Sequence, residues 1–282
     1  MKVLFIGAGV YGKALGDLAE SNGHEVRYYD PYKFPDIKLQ DVAKDIDLAV
    51  YVAPGSAVES IVADPALSSE TPLLCASKGI ATPYPFRHFT HFTSLNGAAF
   101  AEDIATDSPR LGDKIRLTAS SEQAEELFTA PKIAVEFIKD TRGIMLCGAL
   151  KVLTSVYAGY ENPHGFSDVE GSAAAAKKSR QDFLSEIRPE WEKWLELNNC
   201  SKELTQFSCG FPDVVISTTP SSRNFVYGQK LRLESKAPEG TVEGVTIAKT
   251  LKNYPDLKIP EGSTLAAFAE KLVRATATKE PA

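Results

Sequence analysis

Gly7, Gly9 and Gly12 stand in the spacing G-x-G-x-x-G, directly behind the apolar run Val3-Leu4-Phe5-Ile6 and ahead of a helical stretch beginning near Val10. In that order each glycine has a task. Gly7 turns the chain out of a strand, Gly9 lets the backbone approach a pyrophosphate, and Gly12 lets the following helix lie close to the strand. The unpaired N–H groups of the first helical turn, at Val10 and Tyr11, then face the anion with the positive end of the helix dipole. Asp30 comes 18 positions after Gly12, at the end of a second strand-like run, Glu25–Tyr29. A carboxylate there accepts hydrogen bonds from the adenosine ribose and repels a 2′-phosphate. The pattern implies a dinucleotide cofactor, NAD ahead of NADP, and with it redox chemistry. Arg27 and Lys33, close to Asp30, leave NADP open.

These residues need a scaffold, and the pattern around them supplies one. After Asp30, residues 40–45 read as a short helix, 48–53 as a buried strand, and a third helix starts near Ser56. Residues 73–76 read as a strand, and 92–95, 114–119 and 132–137 as three more, with a helix over 122–129 between the last two. Alternation of this kind predicts a mostly parallel sheet. From Asp140 to about Asn199 apolar residues recur at three- and four-residue spacing, with Pro163 and Gly165 as interruptions and Ala173–Ala176 strongly helix-favouring. The expected fold class is therefore α/β, a Rossmann-type doubly wound sheet followed by a mainly α-helical domain. Residues 1–140 are expected to bind NAD and residues 141–282 to bind substrate and carry catalysis, with the active site in the cleft between them. The tail after Arg274 reads as frayed.

Bulk composition narrows the partners. With 31 basic and 37 acidic residues the net charge is −6, which argues against a nucleic-acid backbone as partner. No apolar run reads as approaching the ~20 residues that cross a bilayer, and the first strand is broken by glycine too early for a secretory signal. Cys75, Cys147, Cys200 and Cys209 lack C-x-x-C spacing and read as buried, reduced thiols of a cytoplasmic protein. His88 and His91 have no third ligand motif beside them, so no metal is implied. An apolar helical domain is a candidate for pairing with a second copy.

Six further segments follow the fingerprint in a telling order: Ser77-Lys78-Gly79-Ile80, Leu95–Glu102, Cys147-Gly148-Ala149-Leu150-Lys151, Gly210-Phe211-Pro212-Asp213, Ser222-Arg223-Asn224 and Val242-Glu243-Gly244. Together they resemble the NAD-dependent glycerol-3-phosphate dehydrogenases over nearly the whole chain. The resemblance implies interconversion of dihydroxyacetone phosphate and sn-glycerol 3-phosphate with NAD(H). It implies that Lys151 is the acid/base and that Lys78 binds substrate. It places Gly97 and Ala101 against substrate and cofactor, and Ser217 or Thr218 as a hydroxyl on the substrate. Ser222, Arg223 and Asn224 would hold the phosphate, with Arg223 also touching the cofactor, and Glu243 would lie on the nicotinamide side. The alternative is a related two-domain NAD(P)-dependent dehydrogenase of another small hydroxy acid or phosphorylated ketone.

The residue types suit that chemistry. Hydride reduction of a ketone needs a proton donor at the developing alkoxide. A lysine on the apolar surface of Gly148, Ala149 and Leu150, desolvated and near the cation of Lys78, has its pKa lowered toward neutrality. A carboxylate at Asp213 would hold that ammonium in place. Read alone, Pro212-Asp213 is only a turn into a strand Val214–Ile216. Arg223 offers a forked, permanent charge for a phosphate. Three features depart from the family. Val152 replaces an asparagine after the lysine, with Asn162 or Ser155 as candidate substitutes. Ala98 and Ala99 replace a proline and a serine, and residues 173–207, including Lys177-Lys178, Trp191 and Trp194, follow a different pattern.

Overall fold

The computed structural model describes residues 1–173, 175, 176, 178–234, 238 and 242–277. Ala174, Lys177 and the tail residues 278–282, about which the sequence raised expectations, lie outside them. The chain forms two compact units. One comprises Met1–Ser77 and Thr82–Met145, the other Lys78–Ala81 and Leu146–Ala282. Four residues from the first third of the chain thus belong to the second unit.

The first unit is built on a seven-stranded sheet of β1 (Lys2–Ile6), β2 (Glu25–Tyr29), β3 (Leu48–Tyr51), β4 (Leu73–Cys75), β5 (Phe92–Gly97), β6 (Ile115–Ala119) and β7 (Ile133–Phe137). The strand order is β2-β1-β3-β4-β5-β6-β7. All neighbours are parallel except β5 and β6. This is the mostly parallel sheet the alternating pattern predicts. Strands buried on both faces read as unbroken apolar runs, and β3 and β4 are buried at every position. The intervening helices are α1 (Val10–Ser21), α2 (Leu39–Val42), α3 (Val58–Val62), α4 (Ala101–Thr106) and α5 (Gln123–Phe128). Leu15 and Ala19 of α1, Ile104 of α4 and Leu127 of α5 join Val3, Phe5 and Val50 of the sheet in one apolar core.

The second unit is helical: α6 (Thr141–Glu161, which starts in the first unit), α7 (Arg180–Leu197), α8 (Phe211–Ser217), α9 (Arg223–Glu234), α10 (Glu243–Thr250) and α11 (Thr264–Ala277). Trp191 and Trp194 are fully buried in it. Among the described residues one helix, α6, is long and apolar enough to cross a membrane, against the expectation that no run approaches that length. However, 94% of its apolar window is buried within the protein, as in the core helix of a globular fold.

Two local expectations fail here. Val214–Ile216 is not a strand but part of α8, with Pro212 in the first helical turn. Proline lacks only an N–H that the first turn leaves unpaired, and its fixed φ starts the helix. The β-branched residues then bury Val214 and Ile216 on the helix face. The described part of Ala173–Ala176 is not helical. Gly165 and Gly171 take positive φ, and Phe166 N–H donates to Ser172 Oγ while Ala173 N–H donates to the His164 carbonyl. Tight turns closed by such bonds outweigh alanine's helix preference, a weak prior. Helix resumes at α7, where Ser179 Oγ accepts the Asp182 N–H as N-cap. At the other end α11 continues to Ala277, past the expected fraying point at Arg274.

Gly97 shows how closely β5 and β6 pack. A Cβ there would lie 2.6 Å from the Arg116 carbonyl oxygen and 2.8 Å from Leu117 Cα, both backbone atoms. Gly97→Ala is expected to destabilise the protein by about 1–3 kcal/mol, the usual range for overpacking. A denaturant midpoint equal to that of the parent protein would show that the two strands separate freely.

Candidate functional site

Three ionisable side chains meet in the second unit. Asp213 on α8 has a fully buried carboxylate; Lys78 Nζ donates to its Oδ2, and Lys151 Nζ of α6 lies 3.3 Å from its Oδ1. The lysine side chains are only 11% and 7% exposed. Charges this dry persist only when paired, so one carboxylate holds two amines. Because 211–217 is a helix, Ser217 lies one turn from Asp213 on the same face, and its Oγ donates to Oδ1 at 3.4 Å.

The proton affinity of Lys151 follows from this setting. Burial disfavours the ammonium and brings its pKa from the ordinary 10.5 down to about 8. The Asp213 carboxylate opposes the fall, the positive Lys78 adds to it, and Glu243 opposes it more weakly. An amine titrating there can both give and take a proton near neutral pH.

Glu243 reaches Lys151 electrostatically because α10 starts hard against α6. A Cβ on Gly244 would come within 2.5 Å of Val156 Cγ2 and 2.9 Å of the Val152 carbonyl oxygen. A glycine inside a helical pattern is the sequence signal for such a close approach. Val152 is itself fully buried. Asn224 Oδ1 accepts the Gly244 N–H at 3.1 Å, which joins the start of α9 to the start of α10. Arg223, the first residue of α9, is exposed. Ser222 Oγ accepts the Phe225 N–H at 3.4 Å as a cap of α9.

Other hydroxyls and amides turn to their own helices. Thr218 Oγ1 donates to the Val214 and Val215 carbonyls. Ser155 Oγ donates to the Lys151 carbonyl and Asn162 Nδ2 to that of Ala158. The two candidate substitutes for the missing asparagine therefore direct their donors into α6.

The fingerprint lies in the first unit. Gly7 has φ +109°, and a Cβ on it would lie 2.7 Å from the Ala53 nitrogen. A Cβ on Gly12 would lie 2.2 Å from the Gly7 carbonyl oxygen, whereas one on Gly9 would meet nothing within 4 Å. Gly9 is the N-cap of α1 and brings no side-chain cap, so nothing from the cap residue competes with an anion for the first-turn N–H groups. Val10 is 78% exposed, and Tyr11, next to it in that turn, is half-buried. Asp30 is tied to this loop: its Oδ2 accepts the Ala8 N–H at 2.8 Å, and its Oδ1 accepts those of Tyr32 and Lys33. A carboxylate has acceptor capacity beyond these bonds for ribose hydroxyls. The open flank of Gly9, the uncapped helix and the placed carboxylate fit a dinucleotide. Arg27 donates to Glu25 and to the Lys44 carbonyl. In the same unit Gly97 ends β5, Ala101 begins α4, and Ala99 is part of the apolar core.

No family model matches the chain. Among curated proteins, the glycerol-3-phosphate dehydrogenase [NAD(P)+] of Citrifermentans bemidjiense is 29% identical over 208 residues, covering 58% of this chain and 61% of its own length. That of Syntrophotalea carbinolica is 27% identical over 212 residues, covering 59% and 62%. These matches span about three fifths of the relatives. That of Gloeobacter violaceus is 25% identical over 279 residues, with 90% of this chain and 86% of the relative covered. The chain is similar to the glycerol-3-phosphate dehydrogenases. Its fold agrees: the solved glycerol-3-phosphate dehydrogenase of Plasmodium falciparum superposes with TM-score 0.71 at 14% identity, over 100% of this chain and 96% of that one. The enzyme from Coxiella burnetii superposes with TM-score 0.67 at 17% identity, over 99% and 89%.

The second and third glycines of the fingerprint, Gly9 and Gly12, are expected to separate binding from folding. Gly12→Ala should lower thermal stability, since its Cβ meets backbone. Gly9→Ala should unfold near the parent temperature yet bind NADH at least about tenfold more weakly, a loss of ~1.4 kcal/mol. Unchanged NADH affinity in Gly9→Ala, measured by calorimetry, would exclude a pyrophosphate at this loop.

Proposed function

We propose that the protein interconverts dihydroxyacetone phosphate and sn-glycerol 3-phosphate with NAD(H). The observation that carries this reading is the buried Lys78–Asp213–Lys151 cluster, with an amine titrating near 8, in a chain whose other unit holds a complete dinucleotide fingerprint. The relatives named above are glycerol-3-phosphate dehydrogenases [NAD(P)+], and the site is read on that model. Residues 1–140 serve the cofactor and 141–282, joined by the Lys78 segment, serve the substrate and the proton.

In this reading the bound nicotinamide supplies the hydride for ketone reduction and takes it back in the reverse direction. The chain supplies the rest. The Lys151 ammonium gives its proton to the oxygen that becomes the C2 hydroxyl, and in the oxidative direction the neutral amine removes it. Asp213 holds the amine in register, and Lys78 places a second positive charge at the reacting oxygen, where negative charge develops. Ser217 offers a hydroxyl to the substrate. Thr218 lends its hydroxyl to α8, and Ser222 shapes the start of α9. Arg223 and the Nδ2 of Asn224 grip the phosphate, since a guanidinium makes two parallel bonds to a phosphate oxygen pair. By the family resemblance Arg223, Glu243, Lys78, Gly97 and Ala101 are the further residues that would hold the cofactor. Asp30 selects NAD, and the engagement of Arg27 with Glu25 and Lys44 removes one cation from those available to a 2′-phosphate.

Lys151→Ala is expected to abolish turnover with NADH affinity retained; turnover equal to the parent's sinks the assignment. In the parent protein the rate of ketone reduction should fall as pH rises through about 8, because the donor is the ammonium. Glycerol 3-phosphate oxidation should rise across the same window, because it needs the free amine. Parallel profiles in the two directions would assign the proton elsewhere. Arg223→Ala should raise KM for dihydroxyacetone phosphate far more than for unphosphorylated dihydroxyacetone, and equal increases would remove the phosphate role.

A further inference from the structure

The helices that carry Lys151 and Asp213 are joined by a third element, α7. Trp191, on α7, is fully buried. Its indole N–H, a donor only, donates to Thr154 Oγ1 at 2.9 Å. Thr154 is itself fully buried and stands on α6, three residues and so nearly one turn beyond Lys151. On the opposite side the Trp191 ring packs against Phe211, with centroids 5.1 Å apart at 48°. Phe211 opens α8 two residues before Asp213.

Two more bonds from α7 brace the same helix. The Arg188 guanidinium lies 4.3 Å from the Phe211 ring centroid, and Arg180 Nη1 donates to the Val215 carbonyl at 3.0 Å. Asp213 is thus bracketed by contacts at 211 and 215, both from α7. The same α7 is anchored to the helix of Lys151 by the Trp191–Thr154 hydrogen bond and by the Tyr157–Phe183 ring contact. Trp191 and Trp194 lie in the stretch where the sequence departs from the family pattern.

We propose that Trp191 is a positioning residue that sets the separation between the Lys151 amine and the Asp213 carboxylate. It acts through Thr154 on one side and Phe211 on the other. The consequence for proton transfer rests on the reading of Lys151 as proton donor given above. The groups that bear on that amine are Asp213 from α8, Lys78 from the 78–81 segment and Glu243 from α10. Of these, the Asp213 carboxylate is the main influence keeping the proton on. If α6 and α8 drift apart, that attraction weakens and the amine gives up its proton at lower pH.

The test uses the full-length protein and two variants that break the same bond from either end. Trp191→Phe keeps a ring against Phe211 and removes the donor; Thr154→Val keeps volume and removes the acceptor. The Lys151 amine is titrated by NMR of lysine-labelled protein, its signal assigned by loss in Lys151→Met. The pH dependence of kcat for dihydroxyacetone phosphate reduction is recorded in parallel. In both variants the NMR midpoint and the alkaline limb of kcat should move down together by about 0.5 pH unit or more. The double variant should shift no further than either single one, since the two changes remove one interaction.

An unmoved midpoint in Thr154→Val, even with a lowered unfolding temperature, overturns the proposal and leaves Trp191 as core filling. So does an upward shift, which would report water entering the site. A midpoint that moves down in a protein unable to reduce dihydroxyacetone phosphate supports the positioning role and removes the proposed reaction.

Discussion

The second unit depends on one buried carboxylate. Asp213 has no exposed surface and pairs with two lysines that are themselves nearly dry. A lone ion in such a place would be neutralised or would unfold its surroundings, because the solvation it has lost is worth several kcal/mol. The three groups therefore require one another. That requirement brings together α6, α8 and the Lys78–Ala81 segment, pieces far apart in the chain. It also explains why α8 must begin sharply at Gly210-Phe211-Pro212, since a slip of one residue would turn the carboxylate away from both amines.

The same burial that makes the cluster demanding makes it useful. Water around Lys151 would return its pKa to the ordinary lysine range, and a lysine without a carboxylate partner would lose its proton well below neutrality. The balance of burial against the Asp213 charge brings it between these, to about 8. Since the unfolded chain still holds that proton up to about 10.5, the folded state gains stability as pH rises from about 8 toward that value. Below 8 the native protein carries a charge that its interior disfavours. A site poised for proton transfer is to that extent a strained one.

The first unit obeys a different logic. Its central strands β3 and β4 are buried at every position because helices flank the sheet, and its glycine loop presents backbone rather than side chains. Gly7 and Gly12 are demanded by the fold itself, since Cβ atoms there would meet backbone within 3 Å. Gly9 is not, since a Cβ there would meet nothing within 4 Å, and that contrast is what the proposed ligand role explains. Asp30 bonds to the Ala8 N–H, so the carboxylate proposed to select the ribose and the loop proposed to take the pyrophosphate are one connected piece.

Local signals decided much of this. Strand-length apolar runs, the glycine spacing and the turn residues between them are properties of neighbouring residues, so the seven strands, the first helix and the α/β class are legible without coordinates. Lys78, Lys151 and Asp213 could be named by resemblance to a family, with residue chemistry to justify each. What no window of sequence contains is their convergence on one carboxylate, because that depends on contacts between residues up to 135 positions apart. The same limit explains the failures. Val214–Ile216 has strand-forming residues but lies on a helix begun by proline and held by Arg180 and Phe211. Ala173 and Ala176 favour helix, yet the Ala173 N–H donates to the His164 carbonyl in a preceding turn and neither is helical. Ser155 looked available and is bonded to the Lys151 carbonyl. Propensity is worth tenths of a kcal/mol per residue, whereas burial and buried pairing are worth whole ones. Local sequence therefore determined the elements, and tertiary contact decided which side chains became a site.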